Sequence, residues 1–189
     1  MEPRLKHPVE NLIRTFQYKG VEFEVVQRPD VVWVGCVDYA DNNTDESDIP
    51  ATLKRYQGLV KSVPILEKIN PDWSAALSIQ YHCDEKPCGL MFANESYTNR
   101  QDERYDLFTQ PGGLWLRVGV NEESDAALLG RPSNEMSEYF GILQSAALEN
   151  GYAQNPSVPV EIEYHCHAQY DTPAHAAFAY IPVIERQAV

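Results

Sequence analysis

The sequence predicts an α+β domain in which one module, strand–strand–helix–strand–strand, is used twice. Three pairs of segments carry the prediction. "QRPDVVWVG" (27–35) resembles "QPGGLWLRV" (110–118), with Pro29 falling on Pro111 and Trp33 on Trp115. "RYQGLVKS" (55–62) resembles "EYFGILQS" (138–145), and "IQYHC" (79–83) resembles "IEYHC" (162–166). They keep one order and nearly one spacing, which marks an internal duplication. The half-repeats are residues 18–100 and 101–186, within a single domain. Residues 1–17 lie outside the repeat as an N-terminal extension or short helix.

The elements follow from local pattern. "VEFEVVQ" (21–27) and "VVWVGCV" (31–37) are β-rich runs around Arg28-Pro29-Asp30, and "RYDLFTQ" (104–110) and "LWLRVGV" (114–120) repeat them around Pro111-Gly112-Gly113. A helix is expected over 49–62, with Asp48 as N-cap, Pro50 in its first turn and Leu53, Tyr56, Leu59 and Val60 at helical spacing. Its counterpart is expected over 134–149, stopping at Asn150-Gly151. Two strands close each half: "AALSIQYHC" and "GLMFANE", then "VEIEYHC" and "AAFAYIPVI".

Composition excludes several classes. Of 189 residues, 43% are hydrophobic and 23% charged, a globular balance. No run approaches the roughly 18 apolar residues of a membrane span, and the N-terminus lacks a signal-peptide core. Four cysteines without zinc-type spacing point to a reduced, cytoplasmic setting. A net charge of −13 repels phosphate backbones, so direct nucleic-acid binding is not expected, and cationic ligands are favoured. There is neither a glycine-rich phosphate loop nor a G-x-S-x-G elbow.

The doubled module, the "QRP" turn, the acidic residue in the strand after the second helix and the closing Ile181-Pro182-Val183 together resemble the GyrI-like small-molecule-binding domain. This is the effector-binding domain of bacterial multidrug-responsive transcription activators. The resemblance covers residues 18–186. It implies two antiparallel sheets about a pseudo-two-fold axis, helices on one face and a ligand groove on the other. It also implies a groove glutamate in the penultimate strand, where "VEIEYH" offers Glu161 or Glu163. Without a helix-turn-helix module ahead of it, the chain reads as a stand-alone binder of apolar or cationic drug-like molecules, a sensor or sequestering protein.

Strand alternation then assigns side chains. Ile162, Tyr164 and Cys166 are expected under the helices, with Glu161, Glu163 and His165 on the groove face beside Gln80 and His82 of the first half. Trp33 and Trp115 oppose the aliphatic rows of their strands and are expected to wall the same groove. Tyr180 lines the groove or the core on parity alone. An aromatic wall around a carboxylate suits an apolar cation. Alternatives stay open: the tryptophans as core, a partner's peptide in the groove, or a hydrolase using Glu163 or Glu161 as general acid/base. His165 and His167 with Glu163 or His82 form a possible metal set; solvated histidines are the commoner outcome, so no metal or cofactor is expected.

Overall fold

The computed structural model describes residues 7–40, 49–79, 88–133, 135–166 and 177–186. The strands are β1 (Asn11–Tyr18), β2 (Val21–Arg28), β3 (Val31–Ala40), β4 (Trp73–Ile79), β5 (Cys88–Ser96), β6 (Asp106–Gln110), β7 (Gly113–Val120), β8 (Tyr152–Gln154), β9 (Val160–Cys166) and β10 (Ala177–Glu185). The helices are α1 (Ile49–Ser62), α2 (Glu122–Leu128) and α3 (Glu138–Glu149).

Helix ends follow their punctuation. Val63 precedes Pro64 and is disfavoured from continuing α1. Gly151, at φ +88°, stops α3, and Asn150 Nδ2 donates to the carbonyl of Ala146. Three elements were not expected: β1, α2 and the short β8. Residues 11–17 form most of β1 instead of an extension or short helix, because Lys19 and Gly20 both adopt positive φ and close a tight β1–β2 hairpin. Helix α2 is set by a capping box between Asn121 and Ser124. Helix α3 begins later than the expected residue 134, with its first turn at Glu138.

The strands run in the order β1-β2-β7-β10-β9-β4-β5-β3-β6, all antiparallel, with β8 on β10. The two expected sheets are its halves, β2-β7-β10-β9 and β4-β5-β3-β6, joined where β4 pairs with β9. Exchanging β2 with β6, β3 with β7, β4 with β9 and β5 with β10 turns the eight-strand order from β2 to β6 into its own reverse, with β1 and β8 standing outside the symmetry. The β4–β9 register has the same symmetry: Leu77 pairs with Ile162, Ile79 with Val160, and Ser78 with Glu161 between them. The pseudo-two-fold axis therefore passes through the Ser78–Glu161 pair.

A second junction lies on the same axis. Arg28 pairs with Gly113, and Val31 pairs with Gln110. The register is thus unbroken across Pro29-Asp30 on one chain segment and Pro111-Gly112 on the other. These dipeptides were expected as turns; they are corners at which one continuous two-stranded ribbon passes from the first half-sheet to the second. Joined at β4–β9 and again at this corner, the halves enclose one face. That inner face carries Trp33, Trp115, Tyr164, Tyr180, Leu77, Met91 and Ile162, all 2% exposed or less.

The outer face carries the helices. Helix α1 packs on β3 and β5 through Tyr56, with Val34 and Cys36 beneath it. Helix α3 packs on β7, β8 and β10 through Tyr139, Phe140 and Leu143, over Leu116, Val118, Ala179 and Ile181. All three helices lie on one face, as expected.

At the corner, Gly112 N–H donates to Asp30 Oδ1 at 2.7 Å. A Cβ on Gly112 would stand 2.9 Å from the Arg28 carbonyl oxygen and 2.9 Å from Pro29 C, both backbone atoms. Gly112→Ala must therefore open the corner, at a cost of about 1–3 kcal/mol. Urea unfolding of the two proteins checks this; an unchanged midpoint would contradict the tight corner.

Candidate functional site

Inside the rolled sheet lies a buried ionic cluster. Arg28 of β2 pairs with Glu95 of β5 across the interior, and its Nε is 3.0 Å from Glu10 Oε1. Arg117 of β7 binds Glu10 Oε2 at 2.5 Å and Glu24 Oε2 at 2.7 Å, and donates to the Tyr180 hydroxyl at 3.1 Å. His7 Nε2 is 2.6 Å from Glu95 Oε2, which also accepts from the Tyr164 hydroxyl at 2.8 Å. Gln110 Oε1 accepts from Trp33 Nε1 at 2.9 Å.

Burial opposes ionisation of Arg28 and Glu95, and their partners outweigh it. Glu95 is held below the usual carboxylate range, against its desolvation, by Arg28 and His7. Arg28 is held above its ordinary value by Glu95 and Glu10. Burial and the neighbouring Glu95 carboxylate push Tyr164 far up, so it remains a hydroxyl donor.

The outer face is different. Helices α1 and α3 lie over the outer strands of their half-sheets, and β4 and β9 form the floor between them. That floor presents Ser74, Ala76, Ser78, Glu161, Glu163 and His165. Glu161 is 1% exposed, and neither carboxylate oxygen has a hydrogen-bond partner among the described residues. Burial pushes its pKa up to about 7, opposed by the nearby Gln154 amide and assisted by the Glu163 charge. Glu163 and His165 are partly exposed, with His165 Nε2 3.8 Å from Glu163 Oε2.

The expected site residues are therefore divided between two faces. Trp33 and Trp115 point away from the helices as expected, but they do not wall a groove with Glu161 and Glu163. They are closed core residues, and Tyr180 joins them beside Arg117. Ile162 and Tyr164 also point inward rather than under the helices, which turns Glu161, Glu163 and His165 to the helix face. The parity was sound, but the assumption that only the helix face is apolar was not: both faces bury apolar rows, and the helices do not cover the central strands. Gln80, His82 and His167 lie outside the described residues. Sequence reasoning missed His7, Glu10, Glu24, Arg28, Glu95 and Arg117. The available signal was parity, since Arg117 follows Trp115 on the same face of one strand.

No family model and no curated protein matches the sequence. Solved structures do. The EcmrR C-terminal domain matches with a TM-score of 0.59 at 13% identity, over 87% of this chain and 98% of that one. The fold is that of the GyrI-like effector-binding domains. SAV2435 bound to tetraphenylphosphonium matches at 0.58 and 13% identity, over 86% and 93% of the two chains. A putative transcription regulation protein of Staphylococcus aureus MU50 matches at 0.56 and 15%, over 87% and 99%. Among the described residues, no helix is long and apolar enough to cross a membrane.

A carboxyl whose pKa rises on folding, here from 4.5 to about 7, favours the native state fully below the lower value. That contribution is lost as pH rises through about 7. Glu161→Gln should match wild type in thermal stability near pH 4, then exceed it by a growing margin that levels off above pH 7, reaching a few degrees in Tm. Melting curves across that range test it; a variant less stable at pH 8 would show that Glu161 is ionised and paired.

Proposed function

We propose that the chain binds an apolar, cationic small molecule in the groove between α1 and α3, with Glu161 as its charge partner. The observation that carries this is a buried carboxyl whose two oxygens have no hydrogen-bond partner among the described residues, at the middle of a floor that none of the described helices covers. A buried acid without hydrogen bonds is costly, and such cost persists where a ligand relieves it. The chain's −13 charge draws cations toward it. The same fold in SAV2435, seen bound to tetraphenylphosphonium, supports this ligand class. The role is that of a sensor or sequestering protein, and the symmetric strand order supports its origin by internal duplication. Glu163, partly exposed on the same floor, adds long-range attraction.

A second reading rests on the same residue. A carboxyl titrating near neutrality is suited to general acid catalysis, so a hydrolase of a reactive small molecule is the alternative. Recovery of the compound unchanged after incubation separates binding from turnover.

Only ionised Glu161 attracts a cation, so affinity should be highest above pH 7. Below that it should fall by up to about tenfold per pH unit, until protonation is complete or a residual affinity takes over. Titration with tetraphenylphosphonium at pH 8 should show Glu161→Gln weaker by about 1–3 kcal/mol, with a flat pH profile. Glu163→Gln should have the smaller effect. Equal affinity of wild type and Glu161→Gln at pH 8 would dismiss the assignment.

A further inference from the structure

The enclosed face has its own unmet chemistry. It holds two guanidinium groups and the buried rings of Trp33, Trp73, Trp115, Tyr164 and Tyr180, and its polar contents include a segment that belongs to no strand. Residues 7–10 lie ahead of β1 and fold back over the interior, with Glu10 N–H donating to the His7 carbonyl at 3.3 Å. From this segment His7 places a ring 5.7 Å from that of Tyr164, Val9 packs on the apolar core, and Glu10 sets its carboxylate between Arg28 and Arg117.

We propose that this interior is a second ligand site, suited to an aromatic carboxylic acid and occupied by the chain's own His7–Glu10 segment. Glu10 fills it imperfectly. Its Oε1 stands 3.0 Å from Arg28 Nε, yet among the described residues neither atom makes a hydrogen bond, and the buried Gln110 Nε2 also has no hydrogen-bond partner among them. A buried guanidinium donor beside a carboxylate that fails to align with it is what a tether imposes; a free carboxylate can turn to meet it. The walls favour a flat ring. Arg28 lies 5.3–5.9 Å from the centroids of Trp33, Trp115 and Tyr180, and Tyr164 stands edge-on to both Trp33 and Tyr180. A ring joined to a carboxylate reproduces what His7 and Glu10 supply together. Residues 7–10 pair with no strand, so their displacement breaks no ladder bond. The site is chemically opposite to the outer groove and independent of it.

The test uses the full chain, wild type and Glu10→Ala, titrated with sodium benzoate against matched sodium chloride, read by tryptophan fluorescence and Tm. Trp33, Trp73 and Trp115 all belong to the interior cluster, so they report on it directly. Expected is a saturable benzoate response in Glu10→Ala at least tenfold stronger in apparent affinity than in wild type. It should be lost when Arg117→Gln is added and unchanged by Glu161→Gln. A Glu10→Ala chain that folds only with benzoate supports the site equally. A folded Glu10→Ala that responds no more than wild type overturns it, as does a response that survives Arg117→Gln. If Glu10→Ala stays unfolded with and without benzoate, Glu10→Gln is titrated in its place: a response above wild type supports the site, and its absence, or failure to fold, overturns it.

Discussion

The corner at Pro29-Asp30 and Pro111-Gly112 is the constraint from which the rest of the molecule follows. One antiparallel ribbon keeps its register through both dipeptides. Proline supplies no amide to the ladder and fixes its own φ, so each segment bends where it sits without losing a needed hydrogen bond. With the half-sheets joined there and again at β4–β9, one face has to close. Large inward residues then become core, whatever their suitability for contacting a ligand. The outer face alone keeps a floor uncovered by helices.

The two faces handle charge by opposite means. Inside, two arginines and three glutamates pair with one another at hydrogen-bond distance, with tyrosines and an imidazole taking remaining positions. Removing any one member would strand a buried charge, at about 3–5 kcal/mol, so the cluster holds the ribbon, β5 and the N-terminal segment to one geometry. Outside, Glu161 has no such partners among the described residues, and burial keeps its proton on until near neutrality. One arrangement pairs its charges within the fold; the other holds a proton in place of a partner.

Much of the architecture was legible because it depends on local pattern. The paired strands, α1, the end of α3 and the inward parity of both tryptophans follow from alternation, helical spacing and the Asn-Gly stop. What escaped depends on contacts distant in sequence. Arg28 and Glu95 meet 67 residues apart, and no local pattern identifies either as the other's partner. Lys19-Gly20 and the Asn121–Ser124 box were local signals, and each defines an element that broad periodicity passed over. Glu161 was legible as one of two candidate groove acids. Its face was misplaced because the apolar row of β9 was assigned to helices that sit elsewhere.

Symmetry also explains why the floor carries one central acid rather than two. Most equivalent positions of the two modules are separated in space, so a side chain can occur in both copies without meeting itself. Ser78 and Glu161 are the exception, since they are both equivalent and directly paired across β4 and β9. Side chains so placed stand about 4.5–5.5 Å apart at Cβ. Glutamate in both copies would set two poorly solvated carboxyls against each other, and they would share a proton instead of both ionising. A small neutral partner such as Ser78 leaves one ionisable group on the axis, able to reach full charge. Strand pairing thus makes this position asymmetric in charge, and a groove symmetric in backbone carries a single ionisable group on its axis.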